Sequence, residues 1–324
     1  GGGLITLEDL KAYTAKVRRP IHGTFRKHDV YGPPPPSSGG IVLVQMLNML
    51  ETFPLKEQGR FSTVTLHHMI ETMKRAYRDR AAFLGDSDFV KIPQKLTTKK
   101  YAHKLASEID PKQATPSEDL ADDIKIATEG GSTTHFSVID ENGLAVSNTY
   151  TLEQSYGSRI VVRGAGFLLN NEMGDFNPRP GVTDRVGRIG TPANRIAPGK
   201  RMLSSQCPTI VAKGGKPVLI TGSPGGRTII NTALCNVLNV IEFGMNLREA
   251  IDAPRLHHSW LPDVAALETI DNVPDEGTLA ALRELGHTLR KGTTQGNAHS
   301  IRITPEGYLG VADGRRFSAA ALGW

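Results

Sequence analysis

Thr133 stands where a Gly-Gly-Ser peptide, residues 130–132, gives way to a run of alternating side chains. A threonine hydroxyl is inert near neutral pH unless a base takes its proton. A free α-amine, with a reference pKa of about 7.7–8.0, can be that base. Breaking the bond between Ser132 and Thr133 gives one residue both parts: the hydroxyl attacks and the new amine accepts the proton. The plain alternative is a threonine chosen for its β-propensity. The run from Thr133 to Ile139 predicts a strand, Asp140-Glu141-Asn142-Gly143 a turn, and Leu144 to Thr151 a returning strand. Asn-Gly between two alternating runs is a strong hairpin signal. On that hairpin Thr151 offers a second hydroxyl, either to Thr133 or as an ordinary cross-strand threonine pair.

A second chemical feature is Gly222-Ser223-Pro224-Gly225-Gly226, between a predicted strand ending at Thr221 and a helix starting at Thr228. Successive backbone N–H groups in such a loop form a concavity for anionic oxygen. A phosphate-binding P-loop needs GxxxxGK[ST]. Here Arg227 follows Gly226 and no first glycine sits at the right spacing. His257-His258 and His67-His68 are adjacent pairs without a carboxylate or cysteine at ligand spacing, and both are read as structural. Cys207 and Cys235 fit neither a disulfide framework nor a metal pattern and are expected as small buried residues.

The elements that must position these groups follow from periodicity. Residues 5–14 predict a short helix capped by Thr6. His28 to Tyr31 predicts a strand, and Pro33 to Pro36 a stiff extended stretch leading to a helix from Ile41 to Leu50. Leu66, Met69, Ile70, Met73, Tyr77, Ala81 and Leu84 keep the 3.6-residue period of a helix over 63–84. Residues 86–129 read as helical turns and a long surface linker. Downstream, strands are expected at 159–162, 209–212 and 217–221, helices at 228–243, 246–252 and 278–285, and a last hairpin at 300–304 and 308–312. The chain has 324 residues, 39% of them hydrophobic, with a net charge of +5. Its lysines and arginines are scattered, so no nucleic-acid face is expected. No apolar run reaches the ~18 residues of a membrane span.

Several blocks in order resemble one known family. They are GGLITLEDL near the start, PPPPSSGG (33–40), TTHFSV from Thr133, TYTLE (149–153), FLLNNEMGDF (167–176), KRMLSSQCPTI (200–210), LITGSPGGRTII (219–230) and APRLHHSWLP (253–262). Together they look like a γ-glutamyltransferase (γ-glutamyltranspeptidase, or glutathione hydrolase), a self-cleaving N-terminal-nucleophile hydrolase. The resemblance implies an α+β chain folded as a four-layer αββα sandwich, its N-terminal part missing. Residues 1–132 would be the C-terminal part of the large subunit and 133–324 the small subunit, both cut from one precursor at Ser132-Thr133.

By the same resemblance Thr151 orients the Thr133 hydroxyl, and Gly225 and Gly226 stabilise the oxyanion. Asp175 takes the substrate ammonium, joined by Glu153 and Glu172 where some members carry Asn and Gln. Ser204 and Ser205 hold the substrate carboxylate. The arginine that completes that clamp in the family matches none of the arginines here. The resemblance further implies glutathione and other γ-glutamyl compounds as substrates, amino acids or peptides as acceptors, no cofactor, no nucleic-acid partner, and a periplasmic or secreted setting. A cephalosporin-acylase-like enzyme and a non-catalytic remnant lacking the clamp arginine are the alternatives.

Overall fold

The structure is a computed structural model that describes residues 5–121, 124, 134–177, 181, 183, 189–292, 294–316 and 319–323. Ser132, Thr133 and the cleavage bond between them lie outside the described residues.

Six strands form one antiparallel sheet. They are β1 (Ile21–Phe25), β2 (His28–Gly32), β5 (Thr209–Lys213), β6 (Lys216–Thr221), β10 (His299–Thr304) and β11 (Gly307–Ala312), adjacent in that order. The hairpin β3 (Thr134–Ile139) and β4 (Ala145–Tyr150) pairs His135 with Thr149 and Ser137 with Ser147. It packs against β5, β6 and β10. A third sheet joins β7 (Leu256–His257), β8 (Ala265–Leu267) and β9 (Leu289–Lys291).

The helices are α1 (Leu7–Ala12), α2 (Gly39–Leu50), α3 (Leu55–Gln58), α4 (Thr63–Phe83), α5 (Lys99–Ser107), α6 (Thr228–Val237), α7 (Leu247–Asp252) and α8 (Glu276–Glu284). Every residue of α2 is buried, because it packs against β1, β2, α4, α5 and α6 at once. A helix apolar on all sides is stable only in such a position. Gly39 and Gly40 at its start are needed for backbone contact. A Cβ on Gly39 would fall 2.1 Å from the Gln206 carbonyl oxygen, and one on Gly40 2.4 Å from that of Pro33. The α4 stripe expected from the sequence, from Leu66 to Ala81, is buried in the same core.

The hairpin inverts the usual pattern. His135 and Thr149 face inward and are buried, while Phe136, Val138, Val146 and Tyr150 are exposed. Its inward face is polar because it is bonded to backbone. The Ser147 hydroxyl donates to the Thr221 carbonyl and accepts from the Thr209 N–H, and the Ser137 hydroxyl donates to the His299 carbonyl.

Three expectations need correction. No strand forms over 159–162, where only an isolated bridge joins Val161 to Leu168. Left-handed Gly157, Arg159, Gly164 and Gly166 bend that segment too sharply for a ladder. Within 86–129, read as helical turns and a long surface linker, α5 is a regular helix that buries Ala102 and Ala106 against α2. Strand β1 and the β7–β9 sheet are further elements that the sequence reading did not contain. The short helix at the start is as expected, with Thr6 and Asp9 forming a reciprocal capping box. The helix read over 228–243 is α-helical to Val237 and continues as one π-helical turn, Leu238–Glu242.

Candidate active site

The C-terminal turn of α4, the end of the hairpin, the loop after it, the serine segment before β5 and the glycine loop before α6 converge on one pocket. Its walls include Arg80, Thr151, Glu153, Asp175, Ser204, Ser205, Gly226 and Arg227. Six of the residues singled out in the sequence thus share one cavity although they are spread from residue 151 to residue 226.

The acidic side is built locally. Thr151 Oγ1 accepts the Glu153 N–H at 2.7 Å, which holds Glu153 in the left-handed region at φ 69°. That conformation is uncommon for a side chain larger than glycine and is kept only where surroundings enforce it. Gly174 makes room: a Cβ there would lie 2.7 Å from Glu153 Oε1. Glu172 and Asp175 sit on the single 3-10 turn Glu172–Asp175, and the Asp175 carbonyl accepts from Asn194 Nδ2 at 2.6 Å. Burial, then the neighbouring Asp175 charge, pushes the Glu172 carboxyl up to about 7. Both its oxygens are buried without a well-formed hydrogen bond among the described residues. Burial also raises Asp175, with Arg80 and Arg227 pulling the other way, and raises Glu153. Three carboxyl groups crowd a desolvated space, an arrangement that favours a cationic guest.

The opposite wall is a serine platform. Ser204 and Ser205 are held by the segment PPPPSSGG. Ser204 N–H donates to the Pro36 carbonyl, and Ser38 N–H and Oγ both donate to the Ser204 carbonyl at 2.9 and 2.7 Å. The Ser37 hydroxyl donates to the Gln206 carbonyl at 2.6 Å. Arg80 Nη2 donates to Ser205 Oγ at 2.9 Å. Arg80 is a site residue that sequence reasoning missed. It sits in a helix whose periodicity advertises only the core stripe, and no short motif marks it.

Gly225 and Gly226 have φ values of 136° and 57°, and their carbonyls accept from Thr228 and Ile229 in the first turn of α6. Their own N–H groups make no hydrogen bond among the described residues, so the pair remains able to donate to an anionic oxygen. The histidine pairs are structural. His257 Nδ1 meets Asn231 Nδ2, His258 Nε2 meets Asp263, His67 bonds His287 and the Asp110 carbonyl, and His68 stacks on Phe53. Both cysteines are buried and free. Among the described residues no group of three or more His, Cys, Asp or Glu side chains is arranged to hold a metal ion. Among the described residues no helix is long and apolar enough to cross a membrane.

The fold is shared with solved structures. Over the whole chain it superposes on a cephalosporin acylase from Bacillus halodurans with a TM-score of 0.80 at 24% identity, covering 56% of that protein. That mixed helix-and-sheet architecture is consistent with the N-terminal-nucleophile hydrolase fold. At 40% identity, a γ-glutamyltranspeptidase structure from Pseudomonas nitroreducens, complexed with L-DON, matches 59% of this chain and 100% of its own, with a TM-score of 0.52. A profile of the Gamma-glutamyltranspeptidase family matches residues 1–323, and the chain belongs to that family. It is 47% identical over 325 aligned positions to the glutathione hydrolase proenzyme of Escherichia coli (strain K12), covering 100% of this chain and 56% of that protein. The chain spans about half the length of the curated relatives it matches.

Proposed function

We propose that this chain carries the catalytic and most of the substrate-binding machinery of a γ-glutamyltransferase that acts on glutathione and other γ-glutamyl amides. The observation that carries the reading is the polarity of the pocket: carboxylates at one wall, serines and an arginine at the other, and two uncommitted N–H donors beside them. A free α-amino acid end presents an ammonium and a carboxylate a few bonds apart, which is the pattern this pocket complements.

In this reading the precursor adds one water across the Ser132–Thr133 bond and frees the Thr133 amine. Residues 1–132 then belong to the large subunit and 133–324 to the small one, within a four-layer αββα sandwich. The Thr133 hydroxyl attacks the γ-amide carbon as its proton passes to the Thr133 amine, while Thr151 orients the hydroxyl. Gly225 and Gly226 donate to the oxyanion. The amine returns the proton to the departing nitrogen, leaving a γ-glutamyl ester on Thr133. Water hydrolyses that ester, or the amine of an acceptor amino acid or peptide takes the acyl group. Asp175, Glu153 and Glu172 hold the substrate ammonium and Ser204 and Ser205 its carboxylate. No step calls on a cofactor.

An acylase for side chains without an ammonium shares the fold, but three carboxylates have no use for such a substrate. Intact mass after incubation decides the first step. Fragments starting at Thr133 are expected, and a Thr133→Ala chain that stays whole and inactive. Turnover of γ-glutamyl-p-nitroanilide against a glutaryl amide decides the second. Faster cleavage of the glutaryl compound would refute the γ-glutamyl reading.

A further inference from the structure

We infer that the hydroxyls of Ser223 and Thr228 are positioning groups for acyl transfer, each pinning one backbone carbonyl of the glycine loop so that the N–H of the same peptide unit stays turned toward the bound substrate. This rests on the oxyanion role proposed above for Gly225 and Gly226 and adds two residues to it.

A trans peptide unit is planar, so its carbonyl and its N–H point in opposite directions. Neither the Pro224-Gly225 unit nor the Gly225-Gly226 unit is cis. Ser223 Oγ donates to the Pro224 carbonyl at 2.6 Å, which turns the Gly225 N–H the other way. Thr228 Oγ1 and the Thr228 N–H donate to the Gly225 carbonyl at 2.8 and 3.1 Å, which does the same for the Gly226 N–H. One hydroxyl thus serves each proposed donor. The need for such pins follows from the residues they flank. Gly225 and Gly226 meet no steric barrier from a Cβ, so the peptide units beside them can flip at little cost. A flipped unit presents a carbonyl oxygen where the reaction develops negative charge.

The Ser223 pin is itself held from behind. Ser223 is fully buried, and its Oγ accepts the Asn297 N–H at 2.8 Å. A hydroxyl has one proton, and with the amide N–H aimed at its oxygen that proton goes to Pro224. The segment 295–298 that supplies this N–H is buried and tied to charged side chains at both ends. Arg255 Nη1 donates to the Gln295 carbonyl and the Gln295 N–H to Glu268 Oε1, both at 2.6 Å, while the Ala298 N–H donates to Asp313 Oδ2 at 2.8 Å. Gly296 brings this backbone against the loop: its Cα lies 3.3 Å from where a Cβ on Gly225 would be. The glycine loop therefore leans on a fixed support supplied by the chain just before β10.

The test compares Ser223→Ala, Thr228→Val and Thr228→Ser with wild type, rates being counted per chain that begins at Thr133 by intact mass. Three ligands read different parts of the site. γ-Glutamyl-p-nitroanilide reports turnover. L-2-Aminobutyrate keeps the ammonium and carboxylate of the substrate but has no oxygen to set against the loop. A boronic acid in place of the γ-carboxyl group mimics the oxyanion: the Thr133 oxygen adds to boron, its proton passes to the Thr133 amine, and boron becomes a tetrahedral anion. Losing an oxyanion donor outright costs about 10²–10³-fold in kcat, so a donor left unaimed should cost about 10- to 100-fold. Ser223→Ala and Thr228→Val should lower kcat by that factor with KM nearly unchanged, and should raise the boronate inhibition constant in step while the 2-aminobutyrate constant stays put. Thr228→Ser, which keeps the hydroxyl, should retain most of the wild-type rate. Inhibition constants that rise equally for both ligands mean general damage to the pocket and overturn the assignment. So does a Thr228→Ser chain as slow as Thr228→Val, or an unchanged kcat in either hydroxyl-free variant. If Ser223→Ala does not fold, the two Thr228 variants decide by the same criteria. A wild type that turns over while the hydroxyl-free variants keep its kcat sinks this inference alone. One that cleaves no γ-glutamyl amide sinks the parent reading with it.

Discussion

The imidazole of His135 lies directly on the bare backbone of Gly222. A Cβ placed on Gly222 would fall 2.1 Å from His135 Cε1, and the ring is fixed by Thr149 Oγ1 at 2.8 Å and Ser137 Oγ at 3.2 Å. His135 is on the strand that follows Thr133, and Gly222 opens the loop that ends in Gly225 and Gly226. One contact thus sets the spacing between the strand proposed to carry the nucleophile and the loop proposed to bind the oxyanion.

Gly222→Ala should therefore cost catalysis more than stability. A displacement near 1 Å between reacting groups is expected to lower kcat by on the order of 10²-fold. A His135→Ser change in the same chain removes the clashing ring and should restore part of the loss. Steady-state rates of the two single variants and the double variant measure the coupling. Additive losses would show that the contact does not set the spacing.

Ligand affinity should rise with pH. Glu172 has its carboxyl raised to about 7, so it is mostly neutral at pH 6 and mostly ionised at pH 8. Only the ionised form attracts an ammonium. L-Glutamate, measured by calorimetry, should bind several-fold more tightly at pH 8 than at pH 6, and Glu172→Gln should flatten that dependence. A Glu172→Gln profile as steep as the wild type assigns the titration elsewhere.

Acid should destabilise the fold well above the pH at which ordinary carboxylates titrate. Burial holds His68 near 4 and His135, His257 and His287 near 3. Each folded pKa lies below the ordinary value of about 6.5, so the unfolded chain binds more protons between the two. The stabilisation is complete above about pH 6.5 and is lost as pH falls toward 3. The slope is at most about 1.4 kcal/mol per pH unit for each histidine. Urea unfolding at pH 7 and pH 5.5 should show a clear drop, and an unchanged midpoint would contradict the burial of these rings.

Glu71 is the hub of a buried network. It meets Arg75 at 2.6 Å, Lys74 at 3.3 Å and the Thr115 N–H at 3.1 Å, and Lys74 continues to Asp263 at 3.1 Å. Asp263 in turn accepts the Ser117 N–H, and Trp260 Nε1 donates to the Ser117 carbonyl. Glu71→Ala leaves the desolvated Arg75 without its ion-pair partner and Lys74 with Asp263 alone, at a cost of about 3–5 kcal/mol. It should also loosen residues 110–121, visible as new proteolytic cuts there. A urea midpoint within error of wild type would show that the network is not structural.

Much of this was legible in the sequence. Periodicity located α4 and the hairpins because each has a face whose chemistry differs from its surroundings, and α2 was marked by its apolar run from Ile41 to Leu50. Thr6 and Asn-Gly marked ends through local backbone demands that no tertiary contact overrides. Other features were invisible for equally physical reasons. The three-residue strands β8 and β9 are too short to show alternation, and they exist because Leu256, Ala265 and Leu289 find partners far away in the chain. Ala102 and Ala106 are too small to signal a buried helical face among lysines. Arg80 could not be chosen among the arginines, since what distinguishes it is its place on the pocket wall against Ser205, a fact about three dimensions. Thr151, Glu153, Asp175, Ser204 and Ser205 were named in advance from a resemblance, and the pocket brings them together.

The clamp between Pro36–Gly39 and Ser204–Gln206 means that the pocket has mixed parentage. Arg80 and Ser38 come from upstream of residue 133, Asp175 and Ser205 from downstream. If the backbone is cut there, neither product inherits a whole recognition surface. Keeping the halves together then becomes a condition for the proposed recognition, and any agent that pries them apart would silence the protein without touching the residue proposed as its nucleophile.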